Sequence, residues 1–412
     1  MKPSLLGIVA DDLTGAADSA VVFAGCGFSV QLLLPADPAA ESSVWSAAEP
    51  GLGADSGVLA VATGARALPD EKAASVTSAG VLDLLARGCD RVFVKVDSTM
   101  RGSVAGQVRG ALAAWSTAFA DASVVLCPAF PSQGRTVVDG VVLVGGVSLA
   151  SSAAASDPVT PVRASRLSEL VQGSVAWDLA TAPGRVRYKG TPTSQPLLGV
   201  AVSPRAGGVC PAPKAGQHGS VLTADAATES DLDALAALID EAGPAVLAAG
   251  SAGLANAFAE LWADNTSQPG PAHQAPGRIL VAVSSLHPTA AAAVANLTEP
   301  DTDVVTTPTE RQPSTSGAAQ QFGQRVAEQL RQNDYSAIVL VGGDGAAATL
   351  KEIGATSVTL HCNLLPGVPL GTVNGGTAAG LRIVTRSGGF GDNAGLAQIV
   401  RRLRNPPPRE PG

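Results

Sequence analysis

The sequence predicts an α/β protein of two domains, each a mainly parallel sheet flanked by helices. Three observations carry that prediction. Short β-branched runs alternate with Ala-rich segments along the chain, the pattern of βαβ units. Hydrophobic residues make up 46% of the sequence but aromatic residues only 3%, so the core has to be built from Ala, Val and Leu. That composition suits buried parallel strands covered by small-residue helices. At 412 residues the chain is long enough for two or three domains of roughly 100–200 residues each.

Leu5–Ala10 reads as the first strand, Thr14–Ala24 as a helix and Phe28–Leu34 as the next strand. Arg91–Val96 is a strand followed by a polar turn and a helix near Val104–Trp115. Ser123–Leu126 is a strand that runs into the loop Pro128-Ala129-Phe130-Pro131. Ala245–Ala248 reads as a strand and Gly253–Trp262 as a helix. The later strands are Ile279–Val283, Asp303–Thr306, Ala337–Val341, Ser357–Leu360 and Leu381–Thr385. Residues 182–220, rich in Pro, Gly and Ser, form an irregular segment of the first domain. Residues 264–277 read as a linker. The domains are therefore expected at 1–263 and 278–404, with 405–412 a frayed tail around Pro406-Pro407-Pro408.

Several function classes are disfavoured. The formal net charge is −8 and no continuous basic stretch occurs, which argues against a nucleic-acid partner. Mean hydropathy is +0.24. Even so, no run approaches the ~18–20 apolar residues of a spanning helix. The short apolar run after Met1-Lys2-Pro3-Ser4 is cut off by Asp11-Asp12 and reads as a strand, not a signal peptide. Cys26, Cys89, Cys127, Cys210 and Cys362 are far apart and form no CxxC, so free thiols in the cytoplasm are expected. The four histidines show no metal-ligand spacing.

In doubly wound sheets, ligands bind beyond the carboxyl ends of the strands, so the turns there are the candidate sites. Asp11-Asp12-Leu13-Thr14-Gly15 places two carboxylates between a strand and a helix. One acid suffices to cap a helix; the other is available to act as a general base. In Lys95-Val96-Asp97-Ser98-Thr99-Met100-Arg101, Lys95 lies in an apolar strand and should reach Asp97 or an anionic ligand. Arg101 sits where it can fork onto a carboxylate, or pair structurally with Asp97. Arg135, behind the proline loop, adds a further cation. Gly250-Ser251 allows close approach of a ligand or close helix packing. Gly342-Gly343-Asp344-Gly345 and Ser387-Gly388-Gly389-Phe390-Gly391 each follow a strand and suit phosphate, and Ser284-Ser285 can add hydroxyls. There is no GxxxxGK[ST]; a loose G-x-G-x-x-A starts at Gly343, but the acid expected about 20 residues on is missing.

Taken in order, these motifs, with Pro128-Ala129-Phe130-Pro131, Gly134-Arg135 and Gly253-Leu254-Ala255, resemble the four-carbon acid sugar kinase family over nearly the whole chain. The resemblance implies a sugar-acid-binding N-terminal domain, a nucleotide-binding C-terminal domain, an active site in the cleft between the two domains, and ATP-dependent phosphorylation of threonate, erythronate or 3-oxo-tetronate at the terminal hydroxyl. It implies that Asp11, Lys95, Asp97, Ser98, Arg101, Gly250 and Ser251 face the acid, with Asp12 as base. It further implies that Ser284, Gly342, Gly343, Asp344, Gly345 and Gly388 hold ATP, with Mg²⁺ on the phosphates and no assigned protein ligand. The expected partners are the acid and ATP, with neither nucleic acid nor membrane, in a cytoplasmic protein that can pair as a homodimer. The chain departs from the family pattern at Ala62-Thr63-Gly64-Ala65-Arg66, where hydroxyls are missing, and at Asp157-Pro158-Val159-Thr160-Pro161, where Asp157 replaces a histidine. Arg386-Ser387-Gly388 and Asp344-Gly345 depart more mildly. The alternatives are a sugar-acid-binding protein without turnover and an NAD(P)-dependent hydroxy-acid dehydrogenase.

Overall fold

The computed structural model describes residues 2–35, 45–48, 57–157, 159–177, 220–263, 277–307, 315–388 and 394–405. The irregular segment up to 219, the linker up to 276, Gly389 to Asp392, Cys210 and the tail from Pro406 lie outside the described residues.

In chain order the strands are β1 Leu5–Ala10, β2 Ser29–Leu33, β3 Gly57–Ala62, β4 Arg91–Lys95, β5 Ser123–Cys127, β6 Arg135–Val138, β7 Val141–Val144 and β8 Val147–Ser148. They continue with β9 Val175–Ala176, β10 Ser220–Thr223, β11 Val246–Gly250, β12 Ile279–Val283, β13 Thr302–Thr306, β14 Ala337–Val341, β15 Ser357–Leu365, β16 Val368–Asn374 and β17 Arg382–Arg386. The helices are α1 Leu13–Ala24, α2 Asp70–Ala86, α3 Val104–Trp115, α4 Leu167–Leu170 and α5 Glu229–Ala242. After them come α6 Ala252–Trp262, α7 Pro288–Ala295, α8 Thr315–Gln332, α9 Gly343–Glu352 and α10 Gly395–Arg404.

These elements form two compact units, residues 1–11 with 63–263, and residues 12–62 with 264–412. In the first, β1-β4-β11-β5-β10-β9 form a wholly parallel order. Ala10, Lys95, Gly250 and Cys127 lie side by side at its carboxyl edge. A small antiparallel sheet, β6-β7-β8, belongs to the same unit. Its core is aliphatic as the composition demands, with Leu6, Ile8, Val94, Val124 and Leu247 buried. Trp115 is an exception, fully buried and donating from its indole to the Pro244 carbonyl at 2.9 Å.

In the second unit the order is β13-β12-β14-β17-β16-β15-β2-β3. The β13-β12-β14-β17 set is parallel, and Val283, Val341 and Arg386 end level with one another. β15 and β16 form a hairpin that runs antiparallel to its neighbours. The segment 12–62 groups with the C-terminal half because β2 pairs with β15, Val30 opposite Leu360 and Leu33 opposite Ser357. α1 packs on β15, β16 and α9 in that same unit. The grouping rests on a strand pairing that local pattern does not encode.

Most expected strands occur within one or two residues of their expected ends, as fraying termini allow. The sequence set no bounds for β3, α2, the β6–β8 sheet, β9, β10, α4, α5, α7, α8, α9, β16 and α10. No helix among the described residues is long and apolar enough to cross a membrane.

Candidate active site

At the carboxyl edge of the first unit, acids and guanidiniums alternate. Asp11, directly after β1, is 1% exposed. Arg66 grips it twice, Nε to Oδ2 at 2.7 Å and Nη2 to Oδ1 at 2.9 Å. The same Nη2 lies 3.7 Å from Oδ1 of Asp97. Asp97 opens the turn after β4 and organises it. Its Oδ2 accepts from the Thr99 amide at 3.1 Å, the Arg101 amide at 3.3 Å and the Thr99 hydroxyl. These bonds hold Met100 at a φ of 54°, a left-handed conformation that costs about 1–2 kcal/mol for a residue with a Cβ. Arg101 then folds back onto Asp97, Nε to Oδ2 at 3.0 Å and Nη2 to Oδ1 at 2.8 Å. Its Nη1 donates to Asp157 Oδ2 at 3.2 Å. The row reads Asp11, Arg66, Asp97, Arg101, Asp157.

The charges tune one another. Burial alone would raise the Asp97 pKa, but Arg66 and the Arg101 bonds overcome it and hold the carboxyl well below its usual range. Asp97 in turn keeps Arg101 firmly protonated. Burial opposes ionisation of Asp157, yet the Thr160 and Val159 amides and Arg101 depress its pKa. Arg135 has a lowered pKa, first through burial and then through the nearby Arg101, with Asp97 opposing. Arg135 therefore belongs to the same electrostatic cluster.

Of the two partners expected for Lys95, Asp97 is not the one it meets. Lys95 is 6% exposed and its Nζ donates to the Val96 carbonyl at 3.0 Å. It makes no ion pair with Asp97 or any other acid among the described residues. Asp11 orients Arg66. Ser98 is half-buried in the Asp97 turn. Gly250 and Ser251 are used in packing. A Cβ on Gly250 would lie 2.6 Å from the Cys127 carbonyl oxygen. The Ser251 hydroxyl donates to the Ala129 carbonyl at 2.6 Å and accepts from the Gly253 amide at 3.1 Å, capping α6.

In the second unit three turns interlock beyond β12, β14 and β17. The Ser284 hydroxyl donates to the Val341 carbonyl at 3.1 Å, and the Gly342 amide donates to the Arg386 carbonyl at 3.0 Å. Gly342 has a φ of 107°, accessible to glycine at little cost. A Cβ on Gly345 would fall 2.3 Å from the Ser284 side chain, and one on Gly388 only 1.8 Å from Ser285 Oγ. Gly342 precedes α9 without a side-chain cap, so the amides of its first turn are available to an anion. Asp344 is exposed in that turn.

Asp12 lies in this second unit. Its Oδ1 accepts from the Gly15 amide at 2.8 Å and its Oδ2 from the Thr14 hydroxyl at 2.9 Å, so it is the N-cap of α1. A Cβ on Gly343 would sit 3.3 Å from Asp12 Oδ2. The carboxylate therefore borders the open start of α9.

The geometry brings together Asp11, Asp97 and Arg101 in one constellation, and Asp12, Ser284, Gly342, Gly343, Gly345 and Gly388 in another. Arg66, Arg135, Asp157 and Thr14 join them, although sequence reasoning named none of the four as a site residue. Arg66 and Arg135 carried a usable signal, each being an arginine at a strand-end turn. Among the described residues no group of three or more His, Cys, Asp or Glu side chains is placed to hold a metal ion.

A family model of a sugar-binding N-terminal domain matches residues 6–258, and one of a nucleotide-binding C-terminal domain matches residues 263–396. The chain is 33% identical to a D-threonate kinase of Bordetella bronchiseptica, covering 97% of each. It is 27% identical to a D-threonate kinase of Salmonella typhimurium, covering 95% of this chain and 97% of that one. It is 26% identical to a 3-oxo-tetronate kinase of Pseudomonas savastanoi pv. phaseolicola, covering 97% of each. Among solved structures, a Salmonella typhimurium LT2 protein superposes with a TM-score of 0.69 at 21% identity, covering 97% of this chain and 99% of that one. A Haemophilus influenzae protein gives 0.64 at 19% identity, covering 96% and 100%. Those two share the fold.

Proposed function

We propose that this chain, which belongs to the four-carbon acid sugar kinase family, transfers the γ-phosphoryl group of ATP to the terminal hydroxyl of a four-carbon sugar acid. One observation carries the reading most directly: Asp12 Oδ2 lies 3.3 Å from where a Cβ on Gly343 would be, at the uncapped start of α9. A base and an anion-binding helix start are thus neighbours. The glycines at 342, 345 and 388 support the reading indirectly: a Cβ at each would collide with Ser284 or Ser285, so they let the three turns pack closely beside the uncapped amides of α9.

In the proposed step the acceptor oxygen bonds to the γ-phosphorus while the bond from that phosphorus to the bridging oxygen breaks. ADP leaves with the electron pair, and the acceptor proton passes to Asp12. Positioning and charge neutralisation do most of the work in such transfers. Mg²⁺ bound to ATP would neutralise phosphate charge. Thr14 holds Asp12 in place through its hydroxyl. Lys95, buried and without an ion pair among the described residues, is the cation we assign to the acceptor carboxylate. Arg101 lines the acceptor site, held by Asp97 and Asp157 rather than acting alone as a carboxylate clamp. Ser98, Gly250 and Ser251 shape the site's walls. Action in the cytoplasm and as a homodimer are the remaining parts of the proposal.

The test is an ATP-consumption screen with Mg²⁺ across C3 to C6 aldonic and keto acids. Release of ADP with a four-carbon acid is expected. Stabilisation of the protein by NAD(P) but not by ATP, with no ADP released, would replace the kinase reading with the dehydrogenase one. Acid binding without turnover across the panel would identify a binding protein.

A further inference from the structure

We propose that Asp157 is a specificity-determining residue that reads a hydroxyl of the acceptor. The inference rests on the kinase reading for its substrate class. It comes from a count of hydrogen-bonding capacity at the end of the charged row.

A guanidinium has five N–H donors and a carboxylate about four acceptor sites. Three Arg101 donors are used, Nε and Nη2 on Asp97 and Nη1 on Asp157. One N–H on Nη1 is left over among the described residues. Asp157 Oδ1 accepts from the Val159 amide at 3.0 Å and the Thr160 amide at 2.8 Å, and lies 3.4 Å from the Thr160 hydroxyl. Its Oδ2 accepts from Arg101 alone among the described residues, which leaves a lone pair. The edge where Nη1 meets Oδ2 therefore offers one donor and one acceptor side by side. It is also reachable, since the Arg101 and Asp157 side chains are 32% and 19% exposed.

That edge discriminates among the groups a small sugar acid can present. A hydroxyl accepts from Nη1 and donates to Oδ2, satisfying both. A ketone can accept but cannot donate, so it leaves the Oδ2 lone pair without a partner while displacing water from it. A carboxylate is repelled by Oδ2. The edge thus selects a hydroxyl-bearing carbon over an oxo carbon, and it directs the acceptor carboxylate elsewhere.

The backbone bonds make a clean substitution possible. In Asp157→Asn the side-chain oxygen can keep the Val159 and Thr160 amides, and the new NH₂ then occupies the place of Oδ2, facing Arg101. The turn is kept and the acceptor is lost.

The experiment compares wild type, Asp157→Asn and Asp157→Ser on D-threonate, D-erythronate and 3-oxo-tetronate, by kcat/KM with ATP and by calorimetric binding of each acid without ATP. Wild type is expected to favour a hydroxy acid over the oxo acid. In Asp157→Asn the hydroxy-to-oxo ratio should fall by roughly 10–100-fold, mostly through a higher KM for the hydroxy acid, as expected for one lost bond to a charged group. The binding ratio should fall with it, with only the small drop in melting temperature that loss of the partly exposed Arg101–Asp157 pair brings. An unchanged ratio in either variant, or a wild-type preference for the oxo acid, overturns the assignment of Asp157. Absence of turnover with a binding ratio that still shifts would overturn the kinase reading and leave the hydroxyl contact standing.

Discussion

Two duties meet in the carboxylate of Asp12, and they can be separated. It caps α1 through Gly15 and Thr14, and it borders the start of α9. Asn caps a helix about as well as Asp but cannot take a proton. Asp12→Asn should therefore melt like wild type while kcat drops by about 10²–10⁴-fold. Asp12→Ala should lose the same activity and also about 0.5–2 kcal/mol of stability. An active Asp12→Asn enzyme would reduce Asp12 to a cap. Asp97 gives a second residue-level prediction. Its folded pKa lies below the unfolded value of about 3.9. The stability it contributes is therefore complete above that value and is lost as pH falls through the folded pKa. Wild type should lose melting temperature steeply below about pH 4, and Asp97→Asn, already less stable at neutral pH, should show a shallower acid limb. Parallel acid limbs in the two proteins would place the acid-sensitive group elsewhere. The sequence revealed that charged residues stood at strand ends. It could not reveal that Asp11 belongs to Arg66 or Asp157 to Arg101, because those partners are far apart in the chain and meet only through tertiary structure.

Single elements were legible where local chemistry decides them. A β-branched run followed by glycines and an Ala-rich stretch is a strand, a tight turn and a helix, and β14 to α9 follows that order. β16 was hidden for an equally local reason. Pro369 argues against a strand, since proline removes a ladder donor. The structure accommodates it beside a register shift between Asn363 and Leu365, and Pro366-Gly367 makes the turn of the hairpin. The interlocked turns of the nucleotide-binding half yield the prediction at this scale. A methyl group at residue 388 meets Ser285 at both Oγ, 1.8 Å away, and Cβ, 2.3 Å away. Gly388→Ala should cost about 1–3 kcal/mol by overpacking and weaken ATP binding, because one turn must move off the other. Removing the Ser285 side chain gives the methyl room, so Gly388→Ala with Ser285→Gly should recover part of both losses. Additive losses in that double-mutant cycle would show that the turns do not press on each other.

The largest scale is where local pattern says least. A linker-like composition at 264–277 marks a change of unit, but nothing in residues 12–62 announces that they group with the C-terminal half. That grouping depends on β2 pairing with β15 and on α1 packing against the β15–β16 hairpin. The expected consequence is that residues 264–412 do not fold completely by themselves. Alone, they would expose the edge of β15, where the backbone donors and acceptors that β2 satisfies would be left open to pairing with other chains. They would also lose the cover of α1, whose Leu13, Ala16, Ala17, Ala20, Val21 and Phe23 are buried in the intact protein. Each buried apolar side chain of Val or Phe size is worth roughly 1.5–3 kcal/mol, a large share of the ~5–15 kcal/mol that holds a domain together. Residues 264–412 expressed alone should therefore aggregate or melt without a cooperative transition. Co-expression with residues 12–62 should restore a sharp transition and an ATP-dependent rise in melting temperature, because it supplies β2, α1 and Asp12 together. A C-terminal fragment that melts cooperatively by itself, with the same response to ATP, would show that the unit folds without its N-terminal segment.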